Sequence, residues 1–415
     1  MQAPRVGAGD TTGTLPQNAG VSVRRAVRQT RSKETCSVSE PASRVDPDGL
    51  LEYSVVFTER SLNHMSAAFQ SVMRDISSGL REVYQADAVA VIPGGGTFAM
   101  EAVARQFAGD APCLVIRNGW FSYRWTQILD TARLTSRCEV LKARRRGDAF
   151  DAPFAPVSID EAVEQIRGLR PQVVFAPHVE TSAGILLPDD YVRSLAEAVH
   201  AVGGLLVLDC VASGTLWVDM RALGVDVLIS APQKGWSGSP CAGLVMLSER
   251  ALARIAETRS SSFACDLGRW LTIMRAYEDG GHAYHATLPT DALRVFRDAM
   301  HETRHFGLEL ARERLQTLGR AARGLLADHG HASVAAPGFE APGVIVCHTR
   351  DEALSSGQAF AGLGLQIAAG VPLMCDEPAD YRSFRIGLFG LDKLQHPDRT
   401  LLHLEDALQA LSGTA

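Results

Sequence analysis

Two residues in the middle of the chain set a carboxylate and an amine at the ends of short apolar runs. Leu205–Leu208 stops at Asp209, and Val225–Ser230 is followed by Lys234 within Ser-Ala-Pro-Gln-Lys. Short runs rich in Val, Leu and Ile, bounded by turn residues, read as strands buried on both faces of a parallel sheet. Ligands of such sheets sit beyond the carboxyl ends of the strands, so Asp209 and Lys234 would emerge at a binding edge. Lysine, unlike arginine, can shed its proton and act as an amine nucleophile, and desolvation lowers its pKa towards that role. Of 41 basic residues only four are lysine, namely Lys33, Lys142, Lys234 and Lys393, so one in an apolar, glycine-flanked turn is informative. The residue types alone leave a solvated lysine after a strand as an equal alternative.

Other groups of matching chemistry follow strands. Ala88–Ile92 runs into Pro93-Gly94-Gly95-Gly96-Thr97 and then a helical stretch from Phe98. Glycines between strand and helix let backbone amides crowd an anion at the helix N-terminus, and Thr97 adds a cap and a hydroxyl. Many strand-to-helix turns look like this. Leu114–Ile116 leads into Arg117-Asn118-Gly119-Trp120-Phe121-Ser122-Tyr123-Arg124. Phe121 is either a core ring or a face for a ligand's ring. Val173–Ala176 ends in Pro177-His178-Val179-Glu180-Thr181-Ser182-Ala183-Gly184. His178 and Glu180 have the chemistry of a metal site or an acid–base pair, though structural roles suit both better. Near the C-terminus, Ser383-Phe384-Arg385-Ile386-Gly387 offers a guanidinium that could grip a carboxylate bidentately, or form an ordinary ion pair on an edge strand.

The elements that must position these groups alternate along the chain. Helical patterns span about Leu62–Tyr84, Ser158–Leu169 and Tyr191–Val202, and another begins at Ser248. Tyr53–Phe57 reads as a short extended piece and Ala242–Leu247 as a further strand. One long charged helix is expected from about Val295 to Asp328 as a connection between domains. Beyond it, Gly343–Thr349, Gln366–Ile367 and Phe384–Ile386 read as strands and Arg399–Leu411 as a helix.

In order and content, from roughly Ala88 to Leu394, these motifs resemble the class V aminotransferases, the alanine–glyoxylate and serine–pyruvate transaminase group of fold-type-I pyridoxal-phosphate enzymes. The resemblance implies an α/β fold. Residues 85–295 would form a large cofactor domain with a mostly parallel sheet flanked by helices, and 296–415 a small α+β domain. Residues 49–84 would pack on the small domain. It implies pyridoxal 5'-phosphate held as a Schiff base on Lys234, with Asp209 facing the pyridine nitrogen. Gly95, Gly96, Thr97 and Gln233 would take the phosphate, Phe121 would lie on the ring, and Thr181 would sit beside the phenolic oxygen. Tyr284 and Thr287 would reach across a homodimer interface to the neighbour's phosphate, and Arg385 would bind the substrate carboxylate. The implied reaction moves an amino group from a small amino acid to a 2-oxo acid. The family's Pro-Gly-Pro turn is replaced here by Phe57-Thr58-Glu59-Arg60; Arg60 is either a ligand for a second acidic group on the substrate or a solvated side chain.

Composition narrows the field. A length of 415 residues suits two domains, and 46% hydrophobic residues is ordinary for a globular protein. A net charge of -6, with no basic block beyond Arg144–Arg146, gives nucleic acid no electrostatic footprint. No apolar run approaches the ~20 residues that span a bilayer. Eight scattered cysteines without a Cys-x-x-Cys pair suit reduced thiols in a cytoplasm, and no metal site is expected. Residues 1–48 lack periodicity and read as a disordered arm; its Arg-rich part resembles a transit sequence less well than a plain tail. Two rivals stay open. One is a lyase or desulfurase on the same cofactor, for which Cys265 and Cys375 are the loop-like thiols. The other is a non-catalytic homologue.

Overall fold

The computed structural model describes residues 44–413, so nearly all of the arm expected at 1–48 lies outside the described residues. The main sheet takes β1 Ala88–Pro93, β2 Cys113–Arg117, β3 Cys138–Lys142, β4 Val173–Pro177, β5 Leu205–Asp209, β6 Val227–Ser230 and β7 Ala242–Leu247. Their spatial order is β1-β7-β6-β5-β4-β2-β3. Only β7 runs against its neighbours β1 and β6; the other pairings are parallel. The carboxyl ends of the remaining six strands therefore share one edge. Pro177 and Ile229 flank Asp209 in register, which centres the carboxylate on that edge. Every residue of β2, β4, β5 and β6 is buried, which is why these strands read as unbroken apolar runs rather than alternating ones.

Several helices around this sheet start where a short polar side chain caps them. Ser66 accepts from Phe69 N at the start of α1, Ala67–Tyr84. α2 spans Gly96–Phe107 and α3 Trp120–Thr131. Ser158 accepts from Glu161 N ahead of α4, Ile159–Leu169, and α5 spans Asp189–Ala201. α6 Glu249–Glu257, α7 Leu267–Glu278, α8 Thr290–Phe306 and α9 Leu308–Asp328 follow. A second sheet, ordered β8-β10-β9, joins β8 Val344–His348, β9 Ala368–Ala369 and β10 Ser383–Gly387, all antiparallel. It packs with α9 and with α10, Pro397–Gly413.

Three expectations are corrected. The long helix from Val295 to Asp328 is two helices, because Gly307 adopts φ 104°, outside helical geometry, and breaks the run. The lobe boundary moves with that break. Leu293, Phe296 and Met300 of α8 belong to the apolar core of the main sheet, whereas Ala311, Leu315 and Leu318 of α9 belong to the core around Ile345 and Phe384. The leading segment does not pack on the small domain. The α1 stripe Phe69, Val72, Met73, Ile76 and Leu80 is buried in the main-sheet core, against α7, α8 and β1. Ahead of it Leu62 N donates to Asp291 Oδ1, and Tyr53–Phe57 forms no strand among the described residues. A third apolar cluster, including Phe154, Val179, Ile185, Val344 and Val346, joins the two lobes.

One polar device fixes α3. Glu180, wholly buried after β4, accepts from Phe121 N (3.1 Å), Ser122 N (2.9 Å) and Ser122 Oγ (2.6 Å). It also accepts from Ser182 N (3.1 Å) and Ser182 Oγ (2.7 Å), while Ser182 Oγ accepts from Trp120 N (2.8 Å). A carboxylate thus takes up the orphan amides of the first turn, where the helix dipole favours negative charge. A Cβ at Gly119 would meet Glu180 Cγ at 2.8 Å, so the close approach requires glycine there. Glu180→Ala, which strands several buried donors, is expected to lower unfolding stability by about 3 kcal/mol or more. Urea titration measures it, and an unchanged midpoint would show that the clamp contributes nothing.

Candidate active site

The carboxylate at the end of β5 is 8% exposed, and its Oδ1 accepts from Val211 N at 3.0 Å. Burial raises its pKa to about 6, against the relief given by the Val211 amide; the charge of Glu180 raises it further, and those of Arg124 and Lys234 lower it. Lys234 follows β6, with Nζ 4.7 Å from the centre of the Phe389 ring. Its ammonium is pushed below the usual lysine range, first by burial and then by the charge of Arg385, against the pull of Asp209. The edge therefore holds a carboxylate and an amine that sense each other, each moved towards its neutral form.

The Gly-rich turn lies beside them. Gly95 caps α2 with extended backbone, φ −167°, and a Cβ there would meet nothing within 4 Å. A Cβ on Gly96 would stand 2.7 Å from Val211 Cγ2, so the turn is seated against the loop that follows Asp209. No side chain caps α2, and among the described residues the amides of Gly96 and Thr97 have no protein acceptor. Thr97 Oγ1 accepts from Arg124 Nη1 at 2.7 Å. Gln233, next to Lys234, has a buried Oε1 without a partner.

The Phe121 ring is flanked by two guanidinium groups, Arg124 Cζ at 5.2 Å and Arg385 Cζ at 5.7 Å from its centre. Arg385 sits on the face of β10 opposite Phe384 and Ile386, which enter the small-domain core. Its Nε donates to Ala369 O on β9 at 2.8 Å, which steadies the side chain. Thr181 is half-buried beside Glu180, in the loop whose His178 N donates to Asp209 O at 2.8 Å. His178 pairs through Nδ1 with Ser213 Oγ at 2.7 Å, and burial lowers its pKa to about 4, so the ring is neutral. With Glu180 occupied by α3, both residues of that tempting pair serve the scaffold.

The structure thus brings together Asp209, Lys234, Gly96, Thr97, Phe121 and Arg385. It does not bring three others to them within this protomer. Tyr284 Oη and Thr287 Oγ1 lie 3.1 Å apart on an exposed loop, with Tyr284 56% exposed. Arg60 is exposed, and among the described residues no contact ties its guanidinium to Asp209, Lys234 or Arg385. Two neighbours of the site went unassigned in the sequence. Arg124 had a signal, its fixed place in the Asn-Gly run; Phe389, a lone aromatic in a loop, had none. The thiols suited to a desulfurase are withdrawn. Cys375 is buried, bonded to Arg117 O at 3.4 Å, and burial pushes its thiol up to about 12. Cys265 is buried and likewise raised.

Known proteins share this arrangement of chain. A 2-aminoethylphosphonate–pyruvate transaminase from Paraburkholderia xenovorans (strain LB400) is 28% identical over 338 residues, 80% of this chain and 86% of that one. An alanine–glyoxylate aminotransferase from Rattus norvegicus is 27% identical over 257 residues, 60% of this chain and 58% of its own. Among solved structures, an alanine–glyoxylate aminotransferase from Nostoc sp. superposes with a TM-score of 0.70 at 23% identity, over 84% of this chain and 89% of that one, a likeness of fold. The profile of the aminotransferase class-V family matches residues 50–353. The chain therefore belongs to the class-V aminotransferases, pyridoxal-phosphate-dependent transaminases built on the fold-type-I scaffold.

Proposed function

We propose that this transaminase moves an amino group from a small amino acid to a short 2-oxo acid of the pyruvate or glyoxylate kind. The observation that carries the reading is the meeting of a buried carboxylate, a depressed lysine ammonium and a guanidinium: Asp209 and Arg385 both act on the charge of Lys234, and Arg385 stands 5.7 Å from the Phe121 ring centre. The pyruvate- and glyoxylate-using names of the relatives point to the same acceptors. The residues present fit pyridoxal phosphate. Unclaimed amides on α2 suit its phosphate, and a carboxylate whose charge is costly alone suits a protonated ring nitrogen.

Pyridoxal phosphate, when bound, supplies the electron sink that lets a proton leave the substrate's α-carbon. The protein's own groups do the rest. Lys234 Nζ, with its proton loosened by burial and by Arg385, takes and returns that proton. Asp209 keeps a positive charge on the ring nitrogen favourable. Gly95, Gly96, Thr97 and Gln233 would hold the phosphate, Phe121 would cover the ring, and Thr181 would serve the phenolic oxygen. Arg385, pre-oriented by Ala369 O, fixes the substrate's α-carboxylate. Arg60 would meet a second acidic group only in a substrate long enough to reach the surface.

A homodimer completes the reading, with Tyr284 and Thr287 serving the neighbouring subunit's phosphate. A linked apolar surface supports it. Leu50 (95% exposed) and Tyr53 (90% exposed) lead towards Phe57. The Phe57 ring lies 5.4 Å from His64, which lies 5.5 Å from Tyr284. Phe263, 79% exposed, packs tilted at 48° and 4.8 Å against His285, the residue after Tyr284. Among the described residues no helix is long and apolar enough to cross a membrane, and the seven described cysteines are all free thiols, which fits a cytoplasmic enzyme.

Lys234→Ala is expected to cut amino transfer by roughly 10²–10⁴-fold or more. Stopped-flow half-reactions with an amino acid would measure it, and retained turnover would refute the assignment. Arg385→Ala should raise KM for both amino and oxo acid by about 10–100-fold with a smaller change in kcat, read from steady-state kinetics. The Asp209 carboxyl lies at about 6 in the fold against its ordinary 3.8. Its contribution to stability is therefore full below about pH 4 and lost as pH rises through 6. Cofactor-free Asp209→Asn should accordingly be more stable than the parent at about pH 8, by at most about 3 kcal/mol, with the gap closing towards pH 4 in urea titrations.

A further inference from the structure

The anion cup proposed above is made of uncharged donors: the amides of Gly96 and Thr97 and the Thr97 hydroxyl, with the Gln233 amide assigned beside them by the proposed reading. A phosphate monoester carries about 1.5–2 negative charges near neutral pH. The cation that stands at this cup is Arg124. Its Nη1 donates to Thr97 Oγ1 at 2.7 Å, the one hydrogen bond its guanidinium makes among the described residues. Five N–H donors belong to a guanidinium, so most remain for a ligand. The bond also acts on Thr97. A hydroxyl has one proton, and an oxygen already accepting from arginine is left to donate that proton elsewhere. Thr97 is the second residue of α2, so the freed donor lies in the same turn as the unclaimed amides of Gly96 and Thr97.

The scaffold places this charge deliberately close. Phe121 and Arg124 are three residues apart on α3 and so share a face, with Arg124 Cζ 5.2 Å from the Phe121 ring centre. The Glu180 clamp on the first turn of α3 therefore sets the ring and the cation together. The charge of Arg124 also reaches Asp209, whose carboxyl it lowers, so it lies within the same electrostatic neighbourhood.

We propose that Arg124 is the charged member of the phosphate cup, binding a phosphate oxygen directly and orienting the Thr97 hydroxyl towards it. This rests on the reading that Gly95–Thr97 hold the cofactor's phosphate. Arg385 then serves the substrate end of the Phe121 ring and Arg124 the phosphate end.

The test compares two aldehydes that differ only in the phosphate. Cofactor-free protein is titrated with pyridoxal 5'-phosphate and with pyridoxal, and binding is followed by quenching of tryptophan fluorescence. Arg124→Gln should weaken pyridoxal 5'-phosphate by about 10–100-fold and leave pyridoxal unchanged. Arg124→Lys should lose about tenfold or less, and carries the comparison alone should Arg124→Gln fail to fold. Thr97→Val combined with Arg124→Gln should lose clearly less than the two single losses multiplied, because the two groups act as a unit. Equal losses for both aldehydes, or no loss for either, would overturn the role of Arg124. A parent protein that prefers neither aldehyde would overturn the cup itself, a distinct result.

Discussion

A carboxylate held away from water at the edge of a parallel sheet is the constraint on which this molecule turns. Four consecutive buried residues of β5, Leu205–Leu208, carry Asp209 there, and one backbone amide, from Val211 in the loop that follows, solvates it. Left alone, such a group resists ionisation. Its cost is eased by cations brought from two separate elements, Lys234 after β6 and Arg124 on α3, and in the proposed reading a protonated cofactor ring nitrogen would add a third charge. The fold bears the remaining cost for the sake of chemistry.

Tolerances around the carboxylate are tight in ways that small residues reveal. Gly96 meets Val211, and Gly119 meets the Glu180 side chain, at distances a methyl group would violate. The first contact ties the cup to the loop after Asp209; the second ties α3, with its ring and its cation, to the loop after β4. Both loops leave the same sheet edge on adjacent strands, so the separation of cup, ring and carboxylate follows from the strand spacing of about 4.8 Å rather than from flexible loops.

Much of this was legible because burial writes itself into local sequence. β5 and β6 had to be apolar throughout, so Asp209 and Lys234 stood out as interruptions. Ser158 and Ser248 marked helix starts through their short oxygen-bearing side chains. What escaped was decided by distant partners or by a single dihedral angle. The pattern through 290–328 is amphipathic on both sides of Gly307, and only the positive φ at that glycine divides it. The stripe on α1 says that one face is buried without saying against which core. Tyr284 and Thr287 lie on a surface loop of this protomer, so their expected role came from the family resemblance and not from any pattern in the loop itself. Arg124 had a fixed place in the Asn-Gly run but no role until its contact with Thr97, 27 residues away, gave it a direction.

The break at Gly307 has a consequence for how such enzymes diversify. Among the described residues the fully buried members of the main-sheet core end at Met300 and those of the small-domain core begin at Ala311, on either side of this glycine, and the arginine proposed for the substrate lies on the second side. One recombination event there would exchange the gripping half of the molecule while leaving the proton-handling half intact. The chimera would have to preserve a matched greasy seam, Phe154 and Val179 on one side and Val344 and Val346 on the other. Compatibility of that seam, more than compatibility of the catalytic groups, would decide which exchanged halves yield a working protein.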